Sequence, residues 1–125
     1  MKVVERAREG YGRNAVPIKS PRAAEFEAIA RISHRLRNAS NNRKQNYVEF
    51  VSALSENNKL WTTLAVDVAN ADNSLPQELR ARLFWLAEFT TEETKRLLQD
   101  EGDVGILIEI NAAVLHGLNA QETAS

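Results

Sequence analysis

Few residues in this chain have the types and spacing that chemistry requires. The two histidines, His34 and His116, fall on separate predicted helices, and the chain has no cysteine. A zinc site needs clustered His, Cys or carboxylate ligands, and no His-Glu spacing of that kind is present. Asp67-Val68-Ala69-Asn70-Ala71-Asp72-Asn73 has the oxygen density of a calcium loop. It lacks the mid-loop glycine and distal glutamate of an EF-hand, so it reads as a capped turn. Gly10-Tyr11-Gly12 is followed by neither Lys-Ser/Thr nor a longer glycine pattern, which leaves no phosphate cradle. Glu92-Glu93 and Asp100-Glu101 are adjacent pairs. Neighbouring helical positions diverge, so these carboxylates are expected on a solvated face. The expectation is a protein that is not an enzyme, with no cofactor and no metal, acting by binding other proteins.

The elements that would position any site are helical. Ser20-Pro21 opens the first: Ser20 is suited to accept from an orphan N–H, and Pro21 is pre-set for the first helical position. Phe26, Ile29, Ser33 and Leu36 share its inner face, and polar Asn38 to Asn42 reads as its end. The second helix spans about 42–70, with Tyr47, Phe50, Val51, Leu54, Trp61, Leu64, Ala65 and Val68 in one stripe. Asn57 and Asn58 interrupt the stripe on its apolar side. The phase survives and neither Gly nor Pro intervenes, so one continuous helix is predicted. Ser74-Leu75-Pro76 opens the third, about 75–99, with Ser74 or Leu75 as cap. Its inner face is Leu79, Leu83, Leu86, Ala87, Thr90, Thr94, Leu97 and Leu98. A fourth covers about 104–118.

With 125 residues and no alternating strand pattern, the chain is predicted to be a small single-domain all-α bundle of about four main helices. Residues 1–19 are expected to form an extended N-terminal arm, 20–118 the helical domain, and 119–125 a disordered tail. No apolar run resembles a signal peptide or reaches the ~20 residues that span a bilayer. The expected location is the cytoplasm, with no membrane association.

Two features exceed what a small core needs. Trp85 and Phe89 are four residues apart and point well away from the Leu79-Leu83-Leu86 stripe, while Phe84 departs on the other side. They are either packed in a central helix or part of a partner surface, where tryptophan is enriched. On the last helix, Ile106, Leu107, Ile108, Ile110, Val114, Leu115 and Leu118 leave only Glu109 and His116 as a polar strip. That arc is wider than an amphipathic surface helix shows. Phe84, Trp85, Phe89, Ile106, Ile108 and Leu115 are therefore the candidate partner-binding residues.

The net charge of -1 conceals an asymmetry. Residues 1–44 hold 11 Lys and Arg against 4 Asp and Glu, whereas 45–125 hold 5 against 13. The halves either neutralise each other within the fold or leave a basic first helix for nucleic acid. Against the second reading, aromatics able to stack on bases are not interleaved with the arginines.

Several segments in order resemble the FlaF family of flagellar biosynthesis regulators. They are Tyr11-Gly12, Ser20-Pro21-Arg22, Glu25-Phe26-Glu27, Ala30-Arg31-Ile32-Ser33, Asn57-Asn58-Lys59-Leu60-Trp61, Asn73-Ser74-Leu75-Pro76 with Leu79-Arg80, Ile108-Glu109-Ile110-Asn111, and Gly117-Leu118. The likeness spans about residues 11–118. It implies two partners: flagellin, held as a chaperone client before export, and FlbT, a companion regulator of flagellin synthesis. It carries over no catalytic residue. The alternative it leaves is an RNA-binding post-transcriptional regulator of flagellin message, acting through the basic first helix.

Overall fold

A computed structural model describes the backbone of residues 21–124 and the side-chain surroundings of residues 23–117. Four helices follow one another: α1 Pro21–Asn41, α2 Tyr47–Ala69, α3 Gln77–Leu98 and α4 Val104–Ala124, with no strand among the described residues. The predicted arm and the Ser20 cap lie outside the described residues.

The helix ends follow local chemistry that spacing alone misplaced. α1 runs three residues past Asn38, because Asn42 Nδ2 donates to the Asn38 carbonyl at 2.9 Å and covers an otherwise orphaned acceptor. α2 starts at Tyr47 and not at Asn42. Asn42 to Gln45 forms a turn, and the Asn46 side chain caps the helix by accepting from Glu49 N at 3.1 Å. α3 starts at Gln77, with Pro76 at the cap position, and neither Ser74 nor Leu75 caps it. α4 continues to Ala124, beyond the predicted end at Leu118 and through the segment expected to be a disordered tail. Ala120, Gln121, Glu122 and Ala124 are good helix formers, and no breaker stops them.

In the bundle α2 packs most broadly on α3, while α1 lies against both α2 and α4. α3 meets α4 along the thinnest seam, leaving α2 and α4 as diagonal neighbours. Two apolar clusters fill the interior. One gathers Ile29, Trp61, Leu64, Val68, Leu75, Leu83, Ala87 and Val114. The other gathers Leu36, Ala39, Phe50, Ala53, Leu54, Leu97 and Leu107. Burial of these side chains is the main stabilising term, roughly 1.5–3 kcal/mol for each large one.

Between the clusters lies a polar layer. Ser33, Asn57, Thr90 and Asn111 each fall, along their own helix, between residues serving one cluster and residues serving the other, and all four are buried. Trp61 Nε1 donates to Asn111 Oδ1 at 2.8 Å, and Asn111 Nδ2 donates to Asn57 Oδ1 at 2.7 Å. This chain of bonds joins α2 to α4 across the bundle. α2 is continuous through Asn57 and Asn58, as its phase predicts. Asn58 Oδ1 accepts from Thr91 Oγ1 at 3.1 Å. The polar layer is only partly satisfied: Asn57 Nδ2, Ser33 Oγ and Thr90 Oγ1 are buried without a hydrogen-bond partner among the described residues.

Two residues assigned to inner stripes are half-exposed: Tyr47 and Leu98, each at 47%. Both sit at a terminus of their helix, Tyr47 first in α2 and Leu98 last in α3, where they line one crevice with Arg43, Lys44, Gln99 and Asp100.

Candidate functional site: the outer face of α3 and the α3–α4 edge

The two long edges of the bundle differ in chemistry. At the α1–α2 edge, Arg35 donates to Glu49 Oε2 at 2.9 Å, to Glu56 Oε1 at 2.6 Å and to Ser52 Oγ at 2.9 Å. Arg31 adds a 3.2 Å bond to Glu56. The Arg35 hydrogen bonds hold both carboxyls below the usual glutamate range and raise the guanidinium's own pKa. Arg43, in the following turn, places its guanidinium 4.3 Å from the Phe50 ring centroid. Thus two of the first helix's arginines are neutralised by the acidic second helix. A polar cleft of about 590 Å³ beside them is lined by Arg31, His34, Arg35, Asn38 and Glu49, among others. His34 stands 3.1 Å from Asn38 Nδ2, and His116 is exposed on α4. Among the described residues, no three His, Cys, Asp or Glu side chains group as metal ligands.

At the α3–α4 edge the tie is confined to one end. Glu93 is buried, and its Oε2 accepts from Asp103 N at 2.7 Å, just ahead of α4. This corrects its assignment to a solvated face: Glu92 stays exposed, whereas its neighbour points inward to satisfy an orphan N–H. Gly102 is required here. Its φ is +88°, and a Cβ would lie 2.8 Å from Glu93 Oε2. Toward the other end the two helices leave an apolar groove of about 200 Å³, lined by Leu79, Arg82, Leu83, Leu86, Ala113, Val114 and Gly117.

The aromatics of α3 are placed around this edge. Trp85 is 60% exposed and stacks on the half-buried Phe89, with ring centroids 5.8 Å apart and planes within 18°. Leu86 and Arg82, which line the groove, are their helical neighbours at spacings of one and three. Phe84 is exposed too, but it borders a different crevice, with Val68, Ala69, Gln77, Arg80 and Ala81. Ile106, Ile108 and Leu115 of α4 are half-buried. Ile108 packs on the cluster of Phe50 and Leu107, and Leu115 on the cluster of Trp61 and Val114. The structure therefore brings Trp85 and Phe89 together and separates them from Phe84. The wide apolar arc of α4 is largely covered, because α1 packs on one flank while the α3 edge shelters the other. From sequence, Leu79 was read only as an inner-face residue and Gly117 only as part of a family segment, and Arg82 and Ala113 were not singled out. Small residues on one helix become a groove only once another helix stands opposite.

The fold and this surface define a small four-helix bundle that carries a stacked tryptophan–phenylalanine pair on the outer face of one helix, beside an open seam. The family model described as flagellar protein FlaF matches residues 7–118, and the chain belongs to that family. No curated protein and no solved structure matches the chain. The residues that carry the family resemblance include Asn57, Trp61 and Asn111, the three side chains bonded through the interior. Much of that sequence pattern thus specifies the core. No helix of the described residues is long and apolar enough to cross a membrane.

Proposed function

We propose that this flagellar-family protein is a non-catalytic binding protein of the cytoplasm that holds flagellin as a secretion chaperone, acts with FlbT to control flagellin synthesis, or does both. The observation that supports this reading is the Trp85–Phe89 stack: two large aromatic rings held in a fixed geometry, with Trp85 largely in water. Such rings bring large contact area with little side-chain entropy left to lose, which is the character of interface hot spots. Phe84 contributes on the neighbouring face, while Ile106, Ile108 and Leu115 act mainly by supporting the bundle beneath.

Co-purification with flagellin and with FlbT, followed by mass measurement of any complex, tests the assignment. Trp85→Ala with Phe89→Ala is expected to weaken binding at least tenfold, a change of only ~1.4 kcal/mol. Helix content should be unchanged. A double mutant that folds and binds both proteins normally would move the site elsewhere. The RNA-binding alternative is disfavoured by the engagement of Arg31 and Arg35 with Glu49 and Glu56. Tight binding of flagellin leader RNA that falls steeply with salt would restore it.

A further inference from the structure

We infer that the α3–α4 groove is the seat of one amphipathic helix of a partner protein, whose apolar side lies over Gly117 and Ala113 and whose flanking acidic residue meets Arg82. This rests on the reading of the α3–α4 edge as a partner surface, and it names the kind of segment that surface takes.

Three observations converge. First, Gly117 stands inside α4 with no reason supplied by the described residues. Its backbone is not in the left-handed region, and a Cβ built there would meet nothing within 4 Å. Gly102 offers the contrast, since both its φ and its contacts demand glycine. A mid-helix glycine weakens a helix relative to alanine, so its use at the groove suits close approach by a backbone from outside. Secondly, the groove is floored by Leu83 and Val114 and walled by Leu79, Leu86 and Ala113, and at its side stands the Trp85–Phe89 stack. Its walls are helices whose backbone groups are already paired, and no strand edge adjoins it among the described residues. An occupant must satisfy its own backbone hydrogen bonds, which a helix does.

Thirdly, Arg82 is the one charged residue lining the groove. It is exposed and makes no ion pair or side-chain hydrogen bond among the described residues, unlike Arg31, Arg35, Arg80 and Arg96. A guanidinium at the rim of an apolar groove favours a carboxylate on the incoming segment. This also distinguishes the occupant from the chain's own first twenty residues, which carry five basic residues against two acidic ones and would set like charge against Arg82.

The test uses overlapping 20-residue peptides of flagellin and FlbT as probes, with the full-length protein and fluorescence polarisation. The expected binders become helical on binding, with apolar residues at i, i+3 or i+4 and i+7 and an acidic residue on the flank. Gly117→Leu, which fills the groove, should weaken them at least tenfold, and Arg82→Glu at least fivefold, while Arg82→Lys changes little. Gly117→Ala is the folding control and should raise the thermal midpoint with near-normal binding. The inference is overturned if no peptide binds, if the best binders are basic, or if Gly117→Leu binds as tightly as the parent. A native dimer that Gly117→Leu dissociates would also overturn it, by giving the groove to a second copy. Should whole flagellin or FlbT still bind in a Trp85-dependent way, the functional reading survives and only the groove assignment falls.

Discussion

The α1–α2 edge and the α3–α4 edge are built from similar helices yet finished differently. At the first, Arg35 and Arg31 bridge to Glu49 and Glu56, and Arg43 covers Phe50. At the second, the bond from Asp103 N to Glu93 fixes one end and an apolar groove opens toward the other. A closed edge uses its polar side chains on itself. An open edge leaves Arg82 without an ion-pair partner among the described residues and the outer part of the Trp85 ring in water, and such groups are what a binding surface needs. The contrast also shows what holds α4: the α1 packing and the Asn111 bonds to α2, with a smaller share from α3.

That account of α4 can be broken by Asn111→Leu, for which the largest loss of stability is expected. Trp61 Nε1 and Asn57 Oδ1 would both be stranded in the core, and each unpaired buried group costs ~1–3 kcal/mol. A total of roughly 2–6 kcal/mol is a large part of the ~5–15 kcal/mol that typically separates folded from unfolded states. Urea unfolding measures it; an unchanged midpoint would mean that the polar layer is replaceable by apolar packing.

Glu93→Gln should come next, at about 1 kcal/mol, the difference between a charge-assisted and a neutral hydrogen bond to the Asp103 N–H. Faster amide exchange should appear in the first turn of α4 before it appears in α1 or α2. Uniform exchange through all four helices would show that the α3–α4 edge is no looser than its counterpart.

The smallest effect belongs to the closed edge. Arg35→Gln removes the hydrogen bonds that hold the Glu49 and Glu56 carboxyls low. A depressed folded-state pKa stabilises above the unfolded carboxylate value, ~4.3, and that stability is lost as pH falls through the folded value. The parent should therefore exceed Arg35→Gln slightly in thermal midpoint at pH 7, and the two should converge in acid below about pH 4. A difference that persists undiminished at low pH would assign Arg35 a packing role instead.

Much of this was legible in the sequence, for identifiable reasons. The four helices, the continuity of α2 across Asn57 and Asn58, and most of the core stripe follow from the period of 3.6 residues, which is a local property. The family could be read too, because its pattern runs through the chain in order and includes the Asn57, Trp61 and Asn111 that hold the interior. Pattern was weaker at helix ends. There, single side-chain bonds such as Asn42 to Asn38 and Asn46 to Glu49 moved the boundary by several residues.

Sequence by itself determined most of the apolar stripe along each helix and that Trp85 and Phe89 share a side. Only the tertiary structure decided which side faces water. The wide apolar arc of α4 is consumed by α1 and sheltered by α3, and the adjacent glutamates Glu92 and Glu93 divide into one exposed and one buried. It also set Gly117 and Ala113 opposite Leu79 and Leu86 as the two walls of one groove. The physical reason is that periodicity fixes directions around each helix axis, whereas exposure depends on the distance between axes. That distance follows from how side chains far apart in sequence fill the same space.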